Sequence, residues 1–84
     1  MGAAGEVALA AVQSNDKFRE ELKRALDGLG TSVVDFSRTS GVSQSTLYKI
    51  LSEGREPNLR TVRQIVKAIN ALEKKGSQAF IALV

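Results

Sequence analysis

Between Asn15 and Leu29 the apolar residues Phe18, Leu22, Ala25, Leu26 and Leu29 recur at steps of three and four, while Lys17, Arg19, Glu20, Lys23 and Arg24 fill the other positions. That period predicts an amphipathic helix. Ser14, Asn15 or Asp16 can cap its start, Glu20 stands four residues before Arg24 as a weak pair, and Gly28 with Gly30 marks its end. Ahead of it, Glu6 to Gln13 is rich in alanine and poor in charge, which fits either a short extra helix over the core or a frayed end.

A second, shorter pattern follows in TSVVDFSRTSG. Ser32 and Asp35 have the spacing of a capping box, and a helix begun there turns Val33, Phe36 and Ser37 inward before Gly41 stops it. The chain restarts at once. Val42 is apolar, Ser43 can cap the amides of Ser45 or Thr46, and Leu47, Ile50 and Leu51 form the next inward stripe. Two helices joined by so few residues must cross steeply, as in a helix-turn-helix. The outer side of the second then carries Gln44, Ser45, Tyr48, Lys49 and Ser52, polar side chains of a length suited to base edges in a major groove.

Gly54 and Pro57 break this helix, and Asn58 can cap a further one with the stripe Leu59, Val62, Ile65, Val66, Ile69 and Leu72. Arg60, Arg63, Gln64, Lys67 and Asn70 remain outside. Lys74, Lys75 and Gly76 are expected to end it, leaving Gln78 to Val84 as a short strand or a packed extended tail. The expected core under the turn is Phe36, Leu47, Val62, Ile65 and Ile69. The chain thus divides into an N-terminal extension (1–14), a helix-turn-helix unit (15–75) and an apolar tail (76–84). The fold class is all-α: a compact bundle of four to five short helices with a short C-terminal extended segment.

Composition narrows the chemistry. The 84 residues contain no cysteine and no histidine, removing thiolate nucleophiles, disulfides and the commonest general base and metal ligand. An enzyme is therefore a poor reading, and no cofactor or metal is expected. VALAAV follows Glu6 rather than lysine or arginine and is soon followed by charges, unlike a secretory signal, AFIALV is too short to span a bilayer, and Glu6 stands where myristoylation wants a hydroxyl, so a cytoplasmic protein without a membrane partner is expected. Residues 1–37 hold four basic and six acidic side chains and residues 38–84 hold eight and three, or −2 against +5. A basic half favours a polyanionic partner, although a solvated Lys/Arg surface is the commoner meaning of such an imbalance. Gly28-Leu-Gly30 lacks the third glycine of a dinucleotide loop, with Val33 in its place, and reads as a turn.

From Phe18 to Leu72 the residues resemble the phage-repressor-like (lambda-repressor-like, Xre-type) helix-turn-helix domains. The resemblance is carried by Ser32-x-x-Asp35-Phe36, Gly41-Val42-Ser43, Ser45-Thr46-Leu47-Tyr48-Lys49-Ile50, Gly54 and Pro57-Asn58-Leu59. Three positions depart from it: Ser37 where alanine is favoured, Ser40 where a hydrophobic residue is frequent, and Thr31 where leucine or isoleucine would seal the first helix. More loosely, VALAAVQSNDKF through LYKILSEGREPNLRTVRQIVKA to an apolar end is similar to antidote (antitoxin) proteins of addiction modules.

The resemblance implies double-stranded DNA as partner, with Gln44, Ser45 and Lys49 reading bases. It also implies Ser43 and Tyr48 reaching phosphates or bases, and Arg55, Asn58 and Arg60 gripping the backbone. Simpler roles stand beside these: Ser43 as a cap, Tyr48 as surface cover, Lys49 solvated, Arg63 and Lys67 solvated or partner-facing. The resulting expectation is a transcriptional regulator, a repressor paired as a homodimer on DNA. The rival is an antitoxin or adaptor module that binds a toxin or other protein. AFIALV is expected to pair across a dimer interface or to be the cut edge of a longer chain. Ser37→Ala is expected to be neutral or stabilising unless the hydroxyl has a buried partner.

Overall fold

A computed structural model describes the backbone of residues 3–83 and the side chains of residues 3–75. Five helices follow one another: α1 (Ala3–Gln13), α2 (Asn15–Leu29), α3 (Val33–Ser40), α4 (Gln44–Glu53) and α5 (Leu59–Leu83). Among the described residues there is no strand, and the fold is all-α.

The helix starts are set by side-chain oxygens that satisfy otherwise free amides. Ser14, Ser32 and Ser43 each accept from the amide three residues on, those of Lys17, Asp35 and Thr46, at 3.2, 3.1 and 3.2 Å. Asn58 Oδ1 does the same for Thr61 at 2.8 Å. The ends of α2, α3 and α4 fall at Gly30, Gly41 and Gly54, all left-handed with φ of 65°, 75° and 66°. Glycine adopts that conformation without a Cβ penalty, so the chain turns within one residue.

The inward stripes meet in one cluster. It contains Phe18, Leu22, Ala25 and Leu26 from α2, Phe36 from α3, Val42 from the turn, Leu47, Ile50 and Leu51 from α4, and Ile65, Ala68 and Ile69 from α5. Val7 of α1 completes it and is fully buried. Of the residues expected under the turn, Phe36, Leu47, Ile65 and Ile69 are fully enclosed, and Val62 packs against the cluster half-buried. Leu59, also expected inward, is 66% exposed. It occupies the first position of α5, a turn ahead of where that helix meets the core.

The segment before Ser14 is the extra helix of the two alternatives. α1 packs against α2 and α5, and its first amides are held from the far end of the chain. Glu73 on α5 accepts from the Ala4 N–H at 2.9 Å and from the Ala3 N–H at 3.3 Å. A carboxylate there satisfies orphan donors and complements the positive end of the helix dipole. With Val7 in the common core, α1 packs into the same cluster as the other helices.

At the other end the expectation of a strand or extended tail is corrected. The backbone remains helical through Gly76 to Leu83, so Lys74-Lys75-Gly76 does not terminate α5. A glycine in a helix interior costs only about 1 kcal/mol relative to alanine, too little to stop a run that continues Gln-Ala-Phe-Ile-Ala-Leu. The side chains of AFIALV, and so the expectation of a paired or cut apolar end, lie outside the described residues.

Candidate nucleic-acid interface

The turn between α3 and α4 is stitched by hydroxyl groups. Gly41 caps α3 and its N–H donates to the Ser37 carbonyl at 3.0 Å. The Ser37 hydroxyl donates to the Val42 carbonyl at 2.7 Å. Ser40 donates to the Phe36 carbonyl at 2.7 Å and accepts from the Val42 N–H at 3.2 Å. The serines at two positions that depart from the repressor-like pattern therefore hold both polar groups of Val42 while its side chain enters the core. Ser37 does have a partly buried partner, so the exception attached to the Ser37→Ala expectation applies and alanine there is expected to cost stability.

That fixed turn sets the phase of α4. With Leu47, Ile50 and Leu51 buried, the 3.6-residue period leaves Gln44, Ser45, Tyr48, Lys49 and Ser52 outside, and all five are exposed. Tyr48 is 50% accessible. Gln44 and Ser45 are the first two residues of the helix, with Tyr48 and Lys49 one turn behind them. Gln44 offers both a donor and an acceptor, Lys49 three donors, and Ser45 and Tyr48 a hydroxyl each. Ser43 differs: its oxygen accepts from the Thr46 N–H and its hydroxyl donates to Thr46 Oγ1 at 2.9 Å, so its local bonds make it first of all a cap.

Arg55, Asn58 and Arg60 are exposed beyond the end of α4. Arg55 and Asn58 line one polar cleft with Thr46, Ile50, Glu56, Pro57 and Thr61, which brings the α4–α5 connection against the first turns of α4. Arg60 is not among the residues lining it. Asn58 is engaged through Oδ1 as the cap of α5, and Glu56 places a negative charge in the same cleft. Among the described residues, the ion pairs Arg19–Asp16 and Arg24–Glu21 both lie within α2, so they occupy none of Lys49, Arg55 and Arg60.

Two residues near this surface were not singled out from the sequence. Thr46 is half-buried, receives the Ser43 hydroxyl and walls the cleft; its place three residues after a capping serine was the available signal. Gln64 of α5 brings its amide nitrogen to 3.8 Å from where a Cβ on Gly41 would stand. No sequence signal ties position 64 to 41, because that approach exists only once α5 packs on α3. Among the described residues there is no group of three or more acidic side chains arranged to hold a metal ion, and no helix is long and apolar enough to cross a membrane.

Residues 22–74 match the family described as Helix-turn-helix. A protein of Methanocaldococcus jannaschii, described as an uncharacterized HTH-type transcriptional regulator, is 38% identical over 73 residues. The aligned part covers 87% of this chain and 42% of that relative, so the chain spans about two-fifths of the relative's length. No solved structure matches.

Proposed function

The chain belongs to the helix-turn-helix family, and from that premise we propose that it binds double-stranded DNA in a sequence-selective way as a transcriptional regulator. The observation that carries this reading is the outward row Gln44, Ser45, Tyr48 and Lys49 at the start of α4, set by a buried row on the same helix. Donors and acceptors on the first turns of a projecting helix suit base edges, with Gln44 matched to adenine and Lys49 to guanine. Arg55, Asn58 and Arg60, beyond the end of that helix, grip phosphates. Ser43 sets the helix start and can lend its oxygen to the same contact.

One short reading helix makes few base contacts, so two copies on a pseudo-palindromic site form the working unit, and occupancy of a promoter makes it a repressor. Selection from random duplexes tests this. The expected product is a two-fold site with half-sites spaced by about one helical turn, roughly 10 base pairs. Recovery of no enriched sequence, with no salt-dependent retardation of duplex DNA, would defeat it.

A protein-interaction role, as antitoxin or adaptor, draws support from one feature. A groove between α1 and α5 has Ala4, Ala8, Val62 and Val66 along it and Arg63 and Lys67 at its side. Stoichiometric co-purification with a protein partner, without DNA binding, is the outcome that favours it.

A further inference from the structure

Arg19 lies on α2, ahead of the segment that matches the family. Its guanidinium nevertheless reaches the turn that closes α4, where Nη1 is 3.5 Å from the place a Cβ on Gly54 would take. Gly54 itself is left-handed, and the Arg55 N–H turns back to the Lys49 carbonyl at 3.1 Å. The Arg19 guanidinium thus lies beside the backbone that carries Arg55. The negative end of the α4 dipole favours a cation at that place.

The charge of Arg19 is only lightly engaged. Its ion partner is Asp16, one helical turn earlier, at 3.6 Å, with the carboxylate side chain 84% exposed and that of Arg19 33% exposed. A long pair to a solvated carboxylate is worth little, and one such contact leaves most of the five guanidinium donors available. A phosphate oxygen can take those donors in bidentate geometry, which the carboxylate at this distance does not.

We infer that Arg19 is a further contact to the DNA backbone, extending the gripping surface from Arg55 across Gly54 onto α2. The inference rests on the DNA-binding reading above. It predicts a phosphate footprint wider than the helix-turn-helix itself supplies. Asp16 acts in opposition, competing for the guanidinium and repelling phosphate.

The test is the salt dependence of duplex binding, measured on preferred and random duplexes for the unaltered protein and for Arg19→Ala, Arg19→Lys, Arg24→Ala, Asp16→Asn and Arg60→Ala. Thermal midpoints are recorded alongside. Arg19→Ala should weaken both duplexes in the same proportion and lower the slope of log affinity against log salt by about 0.9, the value for one released counterion. Arg19→Lys should keep that slope. Arg24→Ala should leave binding unchanged, since Arg24 is paired with Glu21 at 3.2 Å and borders the α1 side of α2.

Asp16→Asn should tighten binding to both duplexes, and it keeps the inference testable if Arg19→Ala fails to fold. An unchanged salt slope in Arg19→Ala, whatever its thermal midpoint, would overturn the inference and leave Arg19 as a cap on α4. Unchanged affinity in Asp16→Asn would do the same. If Arg60→Ala still shows its expected effect in either case, the DNA reading stands without Arg19; if the unaltered protein shows no salt-dependent binding, both fall.

Discussion

In the proposed reading Gln44 and Arg60 make two different kinds of contact with DNA, and single substitutions separate them. Gln44 opens α4 with an amide that can pair with one base, so Gln44→Ala should weaken the preferred duplex by roughly 1 to 3 kcal/mol and leave random duplex nearly untouched. Arg60, in the first turn of α5, meets phosphate in this reading. Its removal should weaken both duplexes alike and reduce the salt slope by about one unit. Equal proportional losses for the two variants, measured by fluorescence anisotropy, would remove α4 as the reader. At Ser37 the question is stability alone. Alanine there leaves the partly buried Val42 carbonyl without its 2.7 Å donor and should cost about 1 kcal/mol in chemical denaturation. A stabilised Ser37→Ala variant would mean that water replaces the hydroxyl at no cost.

Among the elements, α5 contributes Ile65, Ala68 and Ile69 to the shared core, with Ile65 and Ile69 fully enclosed. Ile65→Ala should cost roughly 2 to 5 kcal/mol, a large share of the stability of so small a unit. An unchanged thermal midpoint would contradict that burial. The α2 to α5 starts were legible because each joins an apolar period of 3.6 to a side chain that can cap it. Glycines at 30, 41 and 54 marked the ends by the one conformation they accept freely.

What escaped depends on less local causes. The alanines of α1 suit a helix with or without cover, and only Glu73 and the space for Val7 decide between the two. At Lys74-Lys75-Gly76 a familiar stop signal was outweighed by the helix formers after it. On the surface, the row from Gln44 to Lys49 followed from the phase of Leu47 and Ile50. The proximity of Arg19 to Gly54, and of Gln64 to Gly41, needed packed helices before it existed.

Across the whole molecule, the helices divide the work between support and display. α4 packs on α2 and α3, while α1 packs on α2 and α5, so the N-terminal helix braces the bundle without belonging to the turn. Substitutions that loosen α1 should therefore lower stability with little change in the ratio of preferred to random duplex affinity. Val7→Ala is the direct case. Its fully buried side chain should be missed in the thermal midpoint and not in the selectivity, as read by denaturation and by competition between duplexes.

The bond from Glu73 to the amides of Ala3 and Ala4 also has a meaning in time. It joins groups 70 and 69 residues apart, whereas the caps of α2 to α5 each close within three. Closing a long loop costs entropy before any contact rewards it, so near-neighbour structure has the kinetic advantage and this clasp is expected to form on the native side of the folding barrier. Removing it with Glu73→Ala should then speed unfolding and leave the refolding rate unchanged, a φ-value near zero in stopped-flow measurements. The first of the five helices in chain order would be the last to be fastened.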